Sequence, residues 1–158
     1  MRKYFILLLI LLISVPVFAL STAPSEKKID FTLNDLSEKP ISLSSYQGKV
    51  VLLAFFRTGC PACQDEMPYL EQLYRKYKAK GFEILGINIT DRLQDVKLFE
   101  KEYKLSFTIV LDKKGDIATQ YGVRYIPRLY LIDRSGKIKF SAYYTPIDAL
   151  EKEIKKVL

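Results

Sequence analysis

Histidine and tryptophan are absent from this 158-residue sequence, and cysteine and methionine occur only twice each. Without histidine there is no Ser-His-Asp triad, no Cys-His dyad and no histidine-bearing metal site. A structural zinc takes four ligands, and one chain offers only Cys60 and Cys63, so metal binding would need a site shared between chains. Haem attachment through a Cys-x-x-Cys pair needs histidine directly after the second cysteine, where this chain has Gln64. Internal repeats and low-complexity segments are also missing. The cysteine pair itself is left as the chemistry-bearing feature.

What is present suits one folded domain. With 49% hydrophobic and 13% aromatic residues, the chain can bury one sizeable core, and its length argues against two. Residues 1–20 stand apart: Arg2 and Lys3 precede an apolar run from Tyr4 to Leu20 broken only by Ser14 and Pro16. This pattern is an export signal, with Val17 and Ala19 suiting cleavage after Ala19. An uncleaved membrane anchor is the alternative, since the run approaches the lower limit of ~17 residues for a spanning helix. No lipobox cysteine is present, which argues against a lipid anchor. The formal charge of +7 falls to +5 without Arg2 and Lys3, and acids are interspersed among the bases, as a solvated surface requires. Nucleic-acid binding is therefore not expected.

Residues 21–28 read as a polar linker, and 29–158 as the folded domain. Phe31, Leu33, Ile41 and Leu43 alternate around Asn34, Asp35 and Pro40 as a small hairpin. Lys49 to Phe56 is a continuous apolar run, expected to be a central parallel strand buried on both faces. From Cys60 to about Lys80 the apolar residues Met67, Leu70, Leu73, Tyr74 and Tyr77 recur at helical spacing, Gly81 is the stop, and Pro68 should kink or break the helix. A strand over 82–89, a helix over 91–103, a strand over 107–111 and a short helix over 117–121 follow. Strands over 128–132 and 138–143 then form a hairpin about Ser135-Gly136. A last helix has Thr145 as its expected N-cap, Pro146 at its first position, and Ile147, Leu150, Ile154 and Val157 on one stripe. Alternating strands and helices predict an α/β fold with a parallel core.

Cys60 falls where a buried strand gives way to a helix, with Pro61 at the favoured first helical position. Free backbone N–H groups and the positive end of the helix dipole then face the Cys60 sulfur and stabilise its thiolate. Cys60 is thereby the attacking nucleophile, and Cys63, one turn deeper, the resolving thiol. A purely structural disulfide between residues three apart would close a tiny loop and stabilise little.

Several short motifs in sequence carry a resemblance: Asp30-Phe31-Thr32-Leu33, Gly48-Lys49-Val50-Val51-Leu52-Leu53, Cys60-Pro61-Ala62-Cys63, Glu66-Met67-Pro68, Tyr121-Gly122-Val123, Ile126-Pro127 and Leu131-Ile132-Asp133. In this order they resemble the TlpA/ResA group of thioredoxin-like proteins, relatives of the AhpC/TSA peroxiredoxins. The resemblance implies a thioredoxin fold, with a central mixed sheet flanked by helices, an N-terminal hairpin and an extra βα insert. It implies that the bond before Pro127 is cis, that the backbone of Ile126 pairs with an extended substrate segment, and that Glu66 is the active-site glutamate. Cys63 and Glu66, three apart, share a helix face, so Glu66 is placed to move a proton as the mixed disulfide resolves; a solvated surface glutamate is the alternative. Beyond the Cys60–Cys63 disulfide no cofactor or metal is implied.

Some positions depart from the family. Gly59 and Phe56 stand where tryptophans are usual, and Ala54 stands where thioredoxins bury an aspartate. Arg57, Arg124 and Arg128 are expected around the dithiol, lowering the Cys60 pKa and favouring acidic partners. The leading function is an extracytoplasmic thiol:disulfide oxidoreductase that reduces disulfide-containing exported clients, apocytochrome c haem sites being the family's best-known ones, and is itself reduced by a membrane electron donor. A monomer is expected, with a membrane tether if the signal persists. An oxidative role that inserts disulfides uses the same fold and is left open by the sequence, and a peroxiredoxin-like peroxidase and a non-catalytic binding module are the other competing readings.

Overall fold

The computed structural model describes residues 29–158; the expected signal or anchor (1–20) and linker (21–28) lie outside the described residues. Strand β1 (Thr32–Asp35) turns back into β2 (Pro40–Ser42), with Leu33 opposite Ile41, as the N-terminal hairpin. The apolar run becomes β3 (Val50–Phe56), every residue of which is buried. Its side chains alternate between two cores: Val50, Leu52, Ala54 and Phe56 on one face, Val51, Leu53 and Phe55 on the other. Helix α1 (Pro61–Tyr77) follows, then β4 (Phe82–Ile89), α2 (Leu93–Glu102), β5 (Thr108–Asp112) and α3 (Asp116–Gln120). Strands β6 (Arg128–Ile132) and β7 (Ile138–Ala142) and helix α4 (Ile147–Val157) complete the chain.

One seven-stranded sheet results, in the order β2-β1-β5-β4-β3-β6-β7. Strands β3, β4 and β5 are parallel, and β6 runs antiparallel to β3, so the sheet is mixed and β3 is parallel on one side only. The β4–α2–β5 crossover supplies the extra βα insert. Helices α1, α2 and α4 pack on the first face through Met67, Leu70, Val96, Phe99, Leu150 and Ile154. The second face carries α3 and Phe31, with Tyr121 wedged against Phe55 and Tyr130. Gly86 on β4 leaves room for the first core: a Cβ there would lie 3.2 Å from the Phe107 ring and 3.4 Å from that of Phe56.

Two expectations need correction. Pro68 does not break α1, which runs unbroken to Tyr77; the proline lies on the exposed face, while Met67 and Leu70 on either side of it hold the helix to the core. Helix α4 is capped one residue later than expected. Pro146 is extended (φ −54°, ψ 139°) and its carbonyl accepts from Ala149 and Leu150, while Thr145 Oγ1 donates outside the helix to the Tyr143 carbonyl. The stop at Gly81 is as expected: after a 3-10 turn over Lys78–Lys80, Gly81 takes φ +84°, which glycine adopts without penalty.

Candidate functional site

The site forms where β3 and β4 end side by side, because their parallel register sets Phe56 opposite Asn88. Phe56 is buried and stacks on Phe99 of α2, which anchors the strand end beneath the loop Arg57–Gly59. Cys60 is then the N-cap of α1, extended at φ −94° and ψ 111°, with Pro61 inside the first turn. Its sulfur accepts from the Cys63 backbone N–H at 3.2 Å, the capping contact that the helix start requires. The two cysteines form a disulfide, with Cα atoms 5.2 Å apart. Their exposure differs: Cys63 is fully buried in the α1-side core, whereas Cys60 only packs against its edge. A thiol or disulfide arriving from solvent meets Cys60.

Across from the sulfur lies the loop before β6. The Ile126–Pro127 peptide is cis, and the Ile126 carbonyl oxygen stands 4.0 Å from Cys60 Sγ. Pro127 is buried and Ile126 half-buried, touching both cores. Gly59 adds no bulk, since a Cβ there would meet nothing within 4 Å, so the surface beside Cys60 is open. Arg57, Thr58, Gly59, Cys60, Asp91 and Ile126 line a shallow depression.

Asp91, which sequence reading placed only at a helix start, holds the loop in place. Its carboxylate accepts from the Thr58 backbone at 2.6 Å, from Asn88 Nδ2 at 2.9 Å and from Arg57 Nε at 3.2 Å. Gln64 of α1 closes the loop by donating to the Thr58 carbonyl at 2.8 Å. Burial pushes the Asp91 pKa up, but the Asn88, Thr58 and Arg57 hydrogen bonds outweigh it and hold the group below the ordinary aspartate range. The signal for Asp91 was available only through the parallel pairing of β3 with β4, which brings position 91 under position 58. Asp91→Ala strips three partners from this loop. The expected cost is about 1–3 kcal/mol of stability in urea unfolding, together with faster hydrogen exchange at Thr58. Because the folded pKa is depressed, this stabilisation is present above the ordinary aspartate pKa and is lost as pH falls through the folded value.

Glu66 lies one turn beyond Cys63 on α1 and is 2% exposed, so it is not a solvated surface residue. Neither carboxylate oxygen has a hydrogen-bonding partner among the described residues. Burial pushes its pKa up to about 7, and the nearby Thr145 backbone eases this only in part, short of a bond. Ala54, buried in β3, offers no carboxylate; of the two acids buried on α1, Glu71 is held by Arg75 and Ser106, and Glu66 is the one a turn from Cys63. Of the three arginines expected around the dithiol, Arg57 is paired with Asp91. The Arg128 guanidinium is sandwiched between the Tyr130 and Tyr143 rings, 4.6 Å from each centroid, and Arg124 is exposed. Among the described residues no carboxylate or thiol cluster is arranged to hold a metal, and no helix is long and apolar enough to cross a membrane.

Known proteins share this architecture. The family model described as AhpC/TSA matches residues 24–141. The thiol-disulfide oxidoreductase ResA of Bacillus thuringiensis subsp. konkukian is 40% identical over 130 residues, covering 81% of this chain and 75% of that protein. In solved structures, the thioredoxin domain of a thiol-disulfide oxidoreductase from Bacteroides vulgatus superposes with a TM-score of 0.78 at 32% identity, covering 87% of this chain and all of that one. A secreted Mycobacterium tuberculosis disulfide oxidoreductase homologous to Escherichia coli DsbE superposes at 0.73 with 26% identity, over 80% of this chain and 95% of that one. Together with the Cys60–Cys63 disulfide at the start of α1 beside a cis Ile126–Pro127, these matches mean that the chain belongs to the AhpC/TSA family as a thioredoxin-fold, ResA-like thiol-disulfide oxidoreductase.

Proposed function

We propose that this protein works outside the cytoplasm as a reductant of disulfides in exported client proteins. The observation that carries the reading is the asymmetry of the pair: Cys60 is reachable at the helix N-terminus, and Cys63 is sealed beneath it. In the reduced protein the Cys60 thiolate, stabilised by the first-turn N–H groups, attacks one sulfur of a client disulfide. A Cys60–client bond forms, and the second client sulfur leaves as a thiolate. Cys63 then loses its proton and attacks Cys60 Sγ, releasing the first client sulfur and closing the Cys60–Cys63 disulfide. Two electrons pass to the client. A thiol-bearing electron donor, membrane-bound in this reading, restores the dithiol by the reverse exchange.

Glu66 is the proton acceptor for Cys63 in this scheme, since it shares that face of α1, is buried beside the core and titrates near neutrality. The backbone of Ile126 aligns the client chain over Cys60, as its carbonyl position beside the sulfur suits, and Pro127 shapes that ledge. An N-terminal export signal or anchor fits the extracytoplasmic setting, where clients carry disulfides. The protein acts as a monomer in this scheme, since one chain holds every group that the exchange uses.

Insulin reduction driven by dithiothreitol, run beside peroxide consumption, tests the reading. The expected result is accelerated insulin reduction and no peroxide turnover above the free-thiol rate. Peroxide turnover without insulin reduction would move the protein to the peroxidases, and activity in neither would make it a binding module.

A further inference from the structure

From a cation-rich aromatic face beside the dithiol, we infer that the clients are recognised by acidic residues close to the cysteine under attack. This rests on the oxidoreductase reading and adds a partner chemistry to it. The face is built by two segments. The loop before β6 contributes Arg124 and Tyr125 immediately ahead of Ile126, and β6 opens with Arg128; the bend just after β7 contributes Tyr143. Tyr125 is 72% exposed and Tyr143 47%, and their rings meet edge to face at 6.2 Å. Arg128 is fixed in place rather than mobile: its guanidinium lies between the rings of Tyr130 and Tyr143, and Nη2 donates to Ser141 at 3.0 Å. Stacking on rings engages the faces of a guanidinium and not its edge N–H donors, and among the described residues only Nη2 donates, to Ser141, so donors remain for a carboxylate.

Charge decides the partner. Arg57, the cation on the other side of Cys60, is neutralised by Asp91. Neither Arg124 nor Arg128 has a carboxylate within ion-pair distance among the described residues. The segments that frame this surface, 57–64, 122–128 and 143–147, contain no aspartate or glutamate. Two uncompensated cations held beside an exchange site attract acid on an incoming chain and repel base. Reach follows from the backbone. The Ile126 carbonyl is 4.0 Å from Cys60 Sγ, and Arg128 follows across one cis and one trans peptide, steps of about 2.9 and 3.8 Å between Cα atoms, so its backbone lies within about 7 Å of Ile126 and the acid sits within about three positions of the client cysteine. Tyr125 and Tyr143 provide a rigid apolar wall for the residues between. The aromatic contact surface, usually supplied in the resembling proteins by tryptophan just before the first cysteine, is here on the Ile126–Pro127 side, opposite the bare Gly59.

The test is reduction of three disulfide-bonded peptides of identical backbone, with glutamate, glutamine or lysine at the three positions on either side of the cysteine. Neutral 2-hydroxyethyl disulfide serves as a reference substrate. The expected order is Glu, then Gln, then Lys, with at least a tenfold lower KM for Glu than for Lys, similar kcat, and a ratio that shrinks as salt rises from 20 to 500 mM. In the Arg124→Gln, Arg128→Gln double variant the ratio should fall towards one. If that variant does not fold, the wild-type order and its salt dependence still decide. Equal KM values for the three peptides, with 2-hydroxyethyl disulfide reduced normally, overturn the inference and leave the oxidoreductase reading standing; failure on every disulfide overturns that reading itself. Equal KM values together with binding to phosphatidylglycerol vesicles that the double variant loses would assign the cations to a lipid surface and likewise overturn it.

Discussion

Cys63→Ala is expected to accumulate as covalent adducts with client proteins, while Cys60→Ser forms none and reduces insulin no faster than dithiothreitol alone. The geometry sets the difference between them. Cys60 is the partly exposed N-cap whose sulfur receives the Cys63 N–H, so in the proposed scheme its removal deletes the attacking group and leaves only the buried Cys63 sulfur. Cys63 is fully buried, so without it the first exchange still proceeds and the second does not. The adduct then waits for an external thiol. Alanine is the right replacement at position 63, because a serine hydroxyl there would be buried in the apolar α1-side core, whereas alanine leaves only a small void costing about 1 kcal/mol. Gel-shift analysis under non-reducing conditions, repeated after reduction, reads both outcomes. Adducts on Cys60→Ser in place of Cys63→Ala would reverse the assigned roles, and adducts on neither would remove covalent exchange from the function.

The strand-end-to-helix placement of Cys60 was legible in the sequence because three local signals agreed: an apolar run ending at Phe56, a proline at position 61 and helical spacing from Met67 onward. Local signals also fixed Gly81, whose positive φ ends the 3-10 turn. They misled where burial decides. Pro68 is a helix breaker by propensity, yet packing of Met67 and Leu70 on the sheet carries α1 through it. Thr145 is a good N-cap by residue type, but the helix begins from the Pro146 carbonyl instead. Asp91 and the Tyr125–Tyr143 pair depend on contacts between residues far apart in the chain, so they become visible only once the strand order is known. Glu66 lay between these cases. Its helix face could be read from spacing, while its lack of partners could not, because the groups that seal it come from other elements, including the Thr145 segment before α4.

Glu66→Gln is expected to slow resolution of the mixed disulfide at neutral pH and to flatten its pH dependence near 7, with attack by Cys60 little changed. A carboxyl group whose pKa is raised to about 7 is a base matched to physiological pH, and general-base assistance of this kind is worth about 10²–10⁴ in rate. Glutamine keeps the size and removes the proton acceptor. The same burial makes a second, independent statement about stability. Because the folded pKa lies above the ordinary value of 4.5, the folded protein binds more protons than the unfolded chain between these two values. Stability from this group is therefore greatest below pH 4.5, declines as pH rises towards 7, and levels off above it. The decline is on the order of 3 kcal/mol, and it should be missing from Glu66→Gln, whose amide does not titrate. Comparing slopes rather than absolute stabilities avoids the separate cost of burying an amide. Parallel stability curves for the two proteins from pH 4.5 to 7 would mean that Glu66 titrates as an ordinary carboxylate and is already ionised at neutral pH. The proton from Cys63 would then have to leave by water rather than through this side chain.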